Sequence, residues 1–202
     1  MYPIALKLEN KRVLIVGGGK VATQKATMLI KQNADVVVVS PTLTQTLHSY
    51  TLNNQIRWIE RGFEKADTDG AFLVIAATDD RHVNDLVRNN CLENQLVNVV
   101  DSPEDSNFFN MAFLDRGKLK IAISTEGASP ILAKQIKQDL NEFFDDGYEA
   151  YLNFLLAARE KIKQTVIDEE KKYFLLQQLL QDKFRSSEEA RELFLSSIDD
   201  SV

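Results

Sequence analysis

Residues 12–30 read RVLIVGGGKVATQKATMLI. A short β-branched run, Val13 to Val16, passes straight into Gly17-Gly18-Gly19-Lys20-Val21-Ala22, and a helical pattern follows over 20–33. Strand, glycine turn and helix in that order give the G-x-G-x-x-A form of the dinucleotide fingerprint the context that makes it informative. Gly17 is expected to permit the tight turn out of the strand. Gly19, with no Cβ, lets the backbone approach a pyrophosphate, and Ala22 lets the helix pack closely on the strand. The free N–H groups and partial positive charge at the helix start, at Lys20 and Val21, then face the phosphates. The alternative is a glycine turn that holds no ligand.

Outward from this turn the pattern repeats. DVVVV (35–39), IRWIE (56–60), AFLVIAA (71–77) and LVNVV (96–100) are further short apolar runs, separated by helical patterns over 42–54 and 79–94. Runs that are apolar at nearly every position suit strands covered on both faces, as in a parallel sheet. Strands alternating with helices of this length indicate βαβ units with right-handed crossovers. A later strand is expected at 118–124 and a later helix at 129–144. The fold class is therefore α/β: a Rossmann-type parallel sheet domain, a small α+β segment, and a C-terminal all-helical domain.

In such a sheet the carboxyl ends of the strands border the ligand crevice, so the residues just past each strand are the candidates. After the second strand come Ser40-Pro41-Thr42-Leu43, without the Asp or Glu that often holds the adenosine ribose and without an Arg for a 2′-phosphate. These residues therefore do not choose between NAD and NADP. Ser40 and Thr42 either hydrogen-bond the ribose or cap the next helix. After the fourth strand, Ala77 and Thr78 are placed along the nicotinamide half of the cofactor, and Thr78 and Asp79 are also candidate helix caps. After the fifth, Asp101 faces the crevice as a general base or an anchor for a cationic substrate or metal, with an Asx-type turn before Pro103 as the structural alternative. Ser129-Pro130 opens a later helix as N-cap and N1, a start that also attracts an anion such as a substrate carboxylate.

Composition excludes other chemistry. The chain has 202 residues, 24 Lys and Arg against 30 Asp and Glu, and a formal net charge of −6, which lacks the basic footprint of a nucleic-acid binder. Cys91 is the single cysteine, and histidine occurs only at His48 and His82. That rules out an internal disulfide and a Cys-rich zinc site. Cys91 reads as a small packing residue, and no metal site is expected. No apolar run is long enough to span a bilayer. Charges at Lys7, Glu9, Lys11 and Arg12 break up any signal-peptide core, so a cytoplasmic protein is expected. All glycines lie at or before Gly147 and all prolines at or before Pro130. The remainder is rich in helix formers, with Phe154, Leu155, Ala158 and Ile162 at helical spacing.

Taken together, VLIVGGGKVATQKATMLI, VVVVSPTLT, VIAATDDRHVN, NVVDSPEDSNFFNMA and IAISTEGASPILAKQIKQDL resemble, in order and spacing, the precorrin-2 dehydrogenase module of siroheme synthases. The resemblance covers roughly residues 1–145. It implies NAD-dependent oxidation of precorrin-2 to sirohydrochlorin, on the way to siroheme or cobalamin. It also implies NAD contacts at Lys20, Val21, Thr42 and Leu43, a catalytic role for Asp101, and a helix-start role for Ser129. An interlocked homodimer is implied as well, exchanging contacts through residues 113–146, between a domain at 1–112 and a helical domain at 147–202. Some family members also insert ferrous iron into sirohydrochlorin. The methyltransferase domain of the largest members is not expected in 202 residues. A reading from another class is a non-catalytic NAD-sensing module, which the glycine turn fits equally well but Asp101 and Ser129 do not.

Overall fold

The apolar runs become strands because each side chain finds a covered position on one face or the other. In the computed structural model, which describes residues 1–199, β1 (Arg12–Val16) lies at the centre of a five-stranded sheet. Around it stand β2 (Asp35–Val39), β3 (Arg57–Ile59), β4 (Leu73–Ala76) and β5 (Leu96–Val99) in the order β3-β2-β1-β4-β5. All pairings are parallel: Val13 stands opposite Val36 on one side and Leu73 on the other. Alternate residues feed two cores. Val13, Ile15, Val36 and Val38 pack with Ala22, Ala26 and Leu29 of α1 (Lys20–Ile30) and Leu47 of α2 (Gln45–Leu52). Leu14, Val16, Val37 and Val39 face the opposite side and pack with Val87 of α3 (Arg81–Asn90). Burying each such Val, Leu or Ile contributes on the order of 1.5–3 kcal/mol relative to exposure.

The order of the strands places the site. The chain builds outward from β1 through β2 to β3, then returns past β1 to add β4 and β5. The strand ends part at this switch point, between β1 and β4, and a crevice opens there. The open edge of β5 is closed by side chains of the next loop. Asn107 Oδ1 accepts from Val97 N (2.7 Å), its Nδ2 donates to Gln95 O (2.8 Å), and Ser106 Oγ accepts from Val99 N (2.9 Å).

These elements form one of two compact units, Met1–Phe109; the other begins at Asn110. The second unit holds an antiparallel hairpin, β6 (Ala112–Arg116) with β7 (Leu119–Ile123), and the helices α4 (Pro130–Phe143) and α5 (Gly147–Thr165). It continues through α6 (Glu169–Gln178), α7 (Asp182–Ser186) and α8 (Glu188–Asp199). Strand β6 was not foreseen from the sequence. Its residues, AFLDR, find their partner only across the turn to β7, which has Gly117 at φ +62°. Tyr151, Phe154, Ala158 and Ile162 of α5 gather Leu179, Phe184 and Ile198 into a separate core. The last residues of the expected helical domain, 200–202, lie outside the described residues. No described helix is long and apolar enough to cross a membrane.

One ionic pair braces the far end of the sheet. Arg61, just past β3, forks onto the buried Asp67 carboxylate at 2.7 and 2.8 Å, and Asp67 also accepts from Glu64 N at 2.8 Å. The Arg61 hydrogen bonds hold the Asp67 carboxyl below its usual range, against the opposing effect of burial. A carboxylate lowered in this way stabilises the fold fully above the pKa it has when unfolded, about 4. That contribution is lost as pH falls through the lower folded value. Asp67→Asn is therefore expected to melt below the wild type at pH 7, and the gap to close steadily in acid below about pH 4. A gap of constant size across a thermal-melt series from pH 7 to pH 2.5 would show that the charge of Asp67 is not what matters.

Candidate active site

The crevice at the switch point is built by the glycine turn. Gly17 sits at φ +121°, where a built Cβ would lie 2.3 Å from the Ala77 carbonyl oxygen. The end of β1 therefore passes too close to β4 for any side chain. Gly18 is tighter still: its Cβ would lie 1.8 Å from Thr42 O and 2.8 Å from Ser40 Oγ. Gly19 differs. Its φ of −84° suits any residue, and a Cβ there would meet nothing within 4 Å. Nothing in the protein requires glycine at Gly19, but a side chain would project into the open space before α1, where a pyrophosphate lies in this fold. The residues present thus fit a dinucleotide.

Hydrogen bonds lock the turn to its neighbours. Gly17 N donates to Val39 O, Thr44 N to Gly18 O and Ala77 N to Val16 O, all between 2.8 and 2.9 Å. The Thr23 hydroxyl donates to Gly19 O (2.9 Å) and lies 2.7 Å from Thr44 Oγ1. Trp58 Nε1 donates to Ser40 O (2.9 Å), which fixes the chain after β2. The first turn of α1 carries no acidic residue, so its N–H groups and dipole are left to an anion.

The resulting cleft has a volume of about 800 Å³. Gly17, Gly19, Lys20, Val21, Ser40, Thr42, Leu43, Ala77 and Thr78, the cofactor candidates read from the sequence, all line it. Gly18, Thr44, Gly62, Phe63 and Val83 line it too and were not singled out beforehand. The cap of α2 is Thr44, whose hydroxyl accepts from Leu47 N (3.3 Å), and not Ser40 or Thr42. The helix begins later than the sequence pattern suggested: the chain stays non-helical through Thr44, whose backbone is extended (φ −64°, ψ 158°). Likewise α3 is capped by Asp80, which accepts from His82 N (2.9 Å) and Val83 N (3.4 Å), while Asp79 is exposed and makes no cap.

Asp101 does not line the cleft, but follows Val100, which does. Its Oδ1 accepts from Nδ2 of the fully buried Asn84 (3.0 Å), whose amide is bonded in turn to Thr78 on the cleft wall. Asn84 was missed in the sequence. Its signal was a polar residue on the buried face of α3, three positions before Val87. Ser129 lies in the second unit, where its hydroxyl caps α4 by accepting from Leu132 N (3.1 Å). Cys91 packs against the sheet, and burial pushes its thiol up to about 11, so it carries no thiolate chemistry at neutral pH.

A glycine turn on a parallel sheet with an open helix N-terminus is the site of a dinucleotide-dependent enzyme of the Rossmann class. An NAD(P)-binding family model matches residues 4–112, the sirohaem biosynthesis protein central model residues 116–142, and the SirC C-terminal domain model residues 148–194. A precorrin-2 dehydrogenase of Priestia megaterium is 34% identical over 199 residues, 98% of each chain. A siroheme synthase of Thioalkalivibrio sulfidiphilus is 36% identical across 100% of this chain and 40% of that longer protein. The solved structure of SirC, precorrin-2 dehydrogenase, superposes with a TM-score of 0.87 at 34% identity, covering 99% of this chain and all of that one. The chain belongs to the precorrin-2 dehydrogenase family.

The two kinds of glycine should separate in experiment. Gly18→Ala is expected to destabilise the fold by about 1–3 kcal/mol through overpacking. Gly19→Val is expected to keep its melting temperature while weakening NAD about 100-fold or more, the effect of roughly 3 kcal/mol of steric conflict. Thermal melts paired with calorimetric titration check both; wild-type NAD affinity in a folded Gly19→Val would place the cofactor elsewhere.

Proposed function

We propose that this chain oxidises precorrin-2 to sirohydrochlorin, with NAD held in the cleft at the switch point and Asp101 receiving the proton. The observation that carries the reading is Gly19, which no contact within the protein requires to be glycine, in a cleft whose wall is tied through Asn84 to Asp101. When bound, NAD supplies the hydride acceptor. The chain does the rest. The N–H groups opening α1 hold the pyrophosphate, and Ser40, Thr42 and Leu43 lie along the adenosine half. Ala77 and Thr78 flank the nicotinamide half, and the Asp101 carboxylate accepts a proton as the hydride leaves. In the second unit, Ser129 caps α4, and an anion such as a carboxylate would meet the N–H of Ile131 beside it. Asp101→Asn should leave NAD affinity within a few-fold and lower turnover of precorrin-2 by ~10²–10⁴-fold, the usual contribution of a positioned acid–base group. Turnover at the wild-type rate would mean that the proton goes to solvent or to another group, and no turnover by the unaltered protein would favour a sensor.

The protein is further proposed to work as a homodimer in the cytoplasm. Ile131, Leu132 and Phe143 of α4 are 83, 50 and 60% exposed, apolar surface that a second copy would cover. Light scattering should give about 46 kDa, twice the 22.9 kDa of the chain; a mass near the single-chain value would remove the dimer.

A further inference from the structure

Helix α3 turns Val83, Asn84 and Val87 toward the sheet, and Cys91 at its C-terminal end packs there as well. Val87 and Cys91 pack there as apolar groups. Asn84 is an amide with no exposed surface at all, a placement that is costly unless every polar atom is paired. Every one is. Its Oδ1 accepts from Thr78 N (3.2 Å) and lies 2.8 Å from Thr78 Oγ1. Its Nδ2 donates to Thr78 O (3.1 Å) and to Asp101 Oδ1 (3.0 Å). Four sites on the amide meet four partners. The orientation is fixed by chemistry, since turning the amide over would set its oxygen against a carbonyl and a carboxylate.

The place of this amide matters as much as its saturation. The backbone ladder between the ends of β4 and β5 stops at the bond from Val100 N to Ala76 O (3.0 Å). Beyond it, Thr78 borders the cleft while Asp101 is exposed. Asn84 spans the gap. The start of α3 does not need it, because Asp80 already caps that helix. What Asn84 adds is a bond from a buried, immobile donor to one oxygen of an exposed side chain.

We propose that Asn84 is a positioning residue for the dehydrogenation: it holds Oδ1 of Asp101, leaves Oδ2 for the substrate proton, and sets that carboxylate at a fixed place relative to Thr78. The inference rests on the reading of Asp101 as the proton acceptor. A carboxylate released from this bond rotates among its staggered positions, and misplacing a reacting group by an ångström costs up to about 100-fold in rate.

The test is a double-mutant cycle on kcat with precorrin-2 and NAD, using the full chain. Asn84→Ala should lower kcat by about 10–100-fold in the wild type. In an Asp101→Ala background the same change should cost less than about 2-fold, because the group it positions is gone. If Asn84→Ala does not fold, Asn84→Ser carries the same comparison, since its hydroxyl can serve Thr78 but cannot reach Asp101. Equal losses in the two backgrounds, with Asp101→Ala itself slow, would overturn the positioning role and leave the proton-acceptor reading standing. An Asp101→Ala protein at the wild-type rate would overturn both, whatever Asn84 does. A purely structural Asn84 would lower the melting temperature and leave kcat unchanged, which also overturns the proposal.

Discussion

Two strand ends and a loop meet at Gly17 and Gly18 more closely than any side chain allows. The end of β1 lies against the Ala77 carbonyl on one side and the Thr42 carbonyl on the other. Even the smallest substitution at Gly18 would bring a carbon to 1.8 Å from an oxygen. Most of the site follows from this contact. Because β1 can come so near, Ala77 N reaches Val16 O and Thr44 N reaches Gly18 O. The loops after β2 and β4 then close on the turn as two walls of one cleft, and the start of α1 becomes its floor. Fixed N–H groups at a helix start favour a phosphate without reorganising. That rigidity is what the glycines provide, at the conformational cost glycine carries in the unfolded chain.

A second constraint is polar. Loops after parallel strands carry function because they are free of the ladder, and for the same reason they are poor at holding a side chain still. The segment after β5 overcomes this by bonding to itself and to its neighbours. Ser102 Oγ donates to Asp105, Arg88 Nε donates to Asp105 O (2.8 Å), and Ser106 and Asn107 take up the free edge of β5. Side-chain amides and hydroxyls here take the place of a sixth strand. They leave Asp101 as an exposed carboxylate on a braced segment.

The sequence carried the sheet and nine of the residues that line the cleft because both depend on local, high-contrast signals. Runs such as DVVVV have one reading, and a glycine turn after RVLIV has few. It was less legible wherever neighbours chose between equivalent residues. Thr42 and Thr44 are both able to cap α2, as Asp79 and Asp80 are both able to cap α3. In the first, Thr44 stands just outside the helix with extended backbone (φ −64°, ψ 158°) and its hydroxyl takes Leu47 N. In the second, the Thr78 hydroxyl takes Asp80 N (3.2 Å), which sets Asp80 at the cap position. Gly18 falls at an unspecified position of the fingerprint, and only the approach of Thr42, 24 residues along the chain, makes it obligatory. Strand β6 hid because AFLDR has no partner until the chain turns at Gly117. Asn84 hid because a buried asparagine looks like a surface residue until its helical face is known.

The chemistry demanded of the site explains how sparse it is. Oxidation by hydride transfer needs the acceptor and the donor carbon held in register, and one group to take a proton. No thiolate or imidazole is required, which agrees with Cys91 packed against the sheet and with His48 edge-on to Trp58 at 6.2 Å. The number of catalytic groups can fall this low only if their placement is exact to within a fraction of an ångström. With Asp101 as the proposed proton acceptor, a single carboxylate on a braced loop, bonded to a buried amide that is itself bonded to the cleft wall, would supply that placement through two side chains and one strand end. In this fold the precision comes from what is buried behind the site, and the residues that face the cleft can remain few.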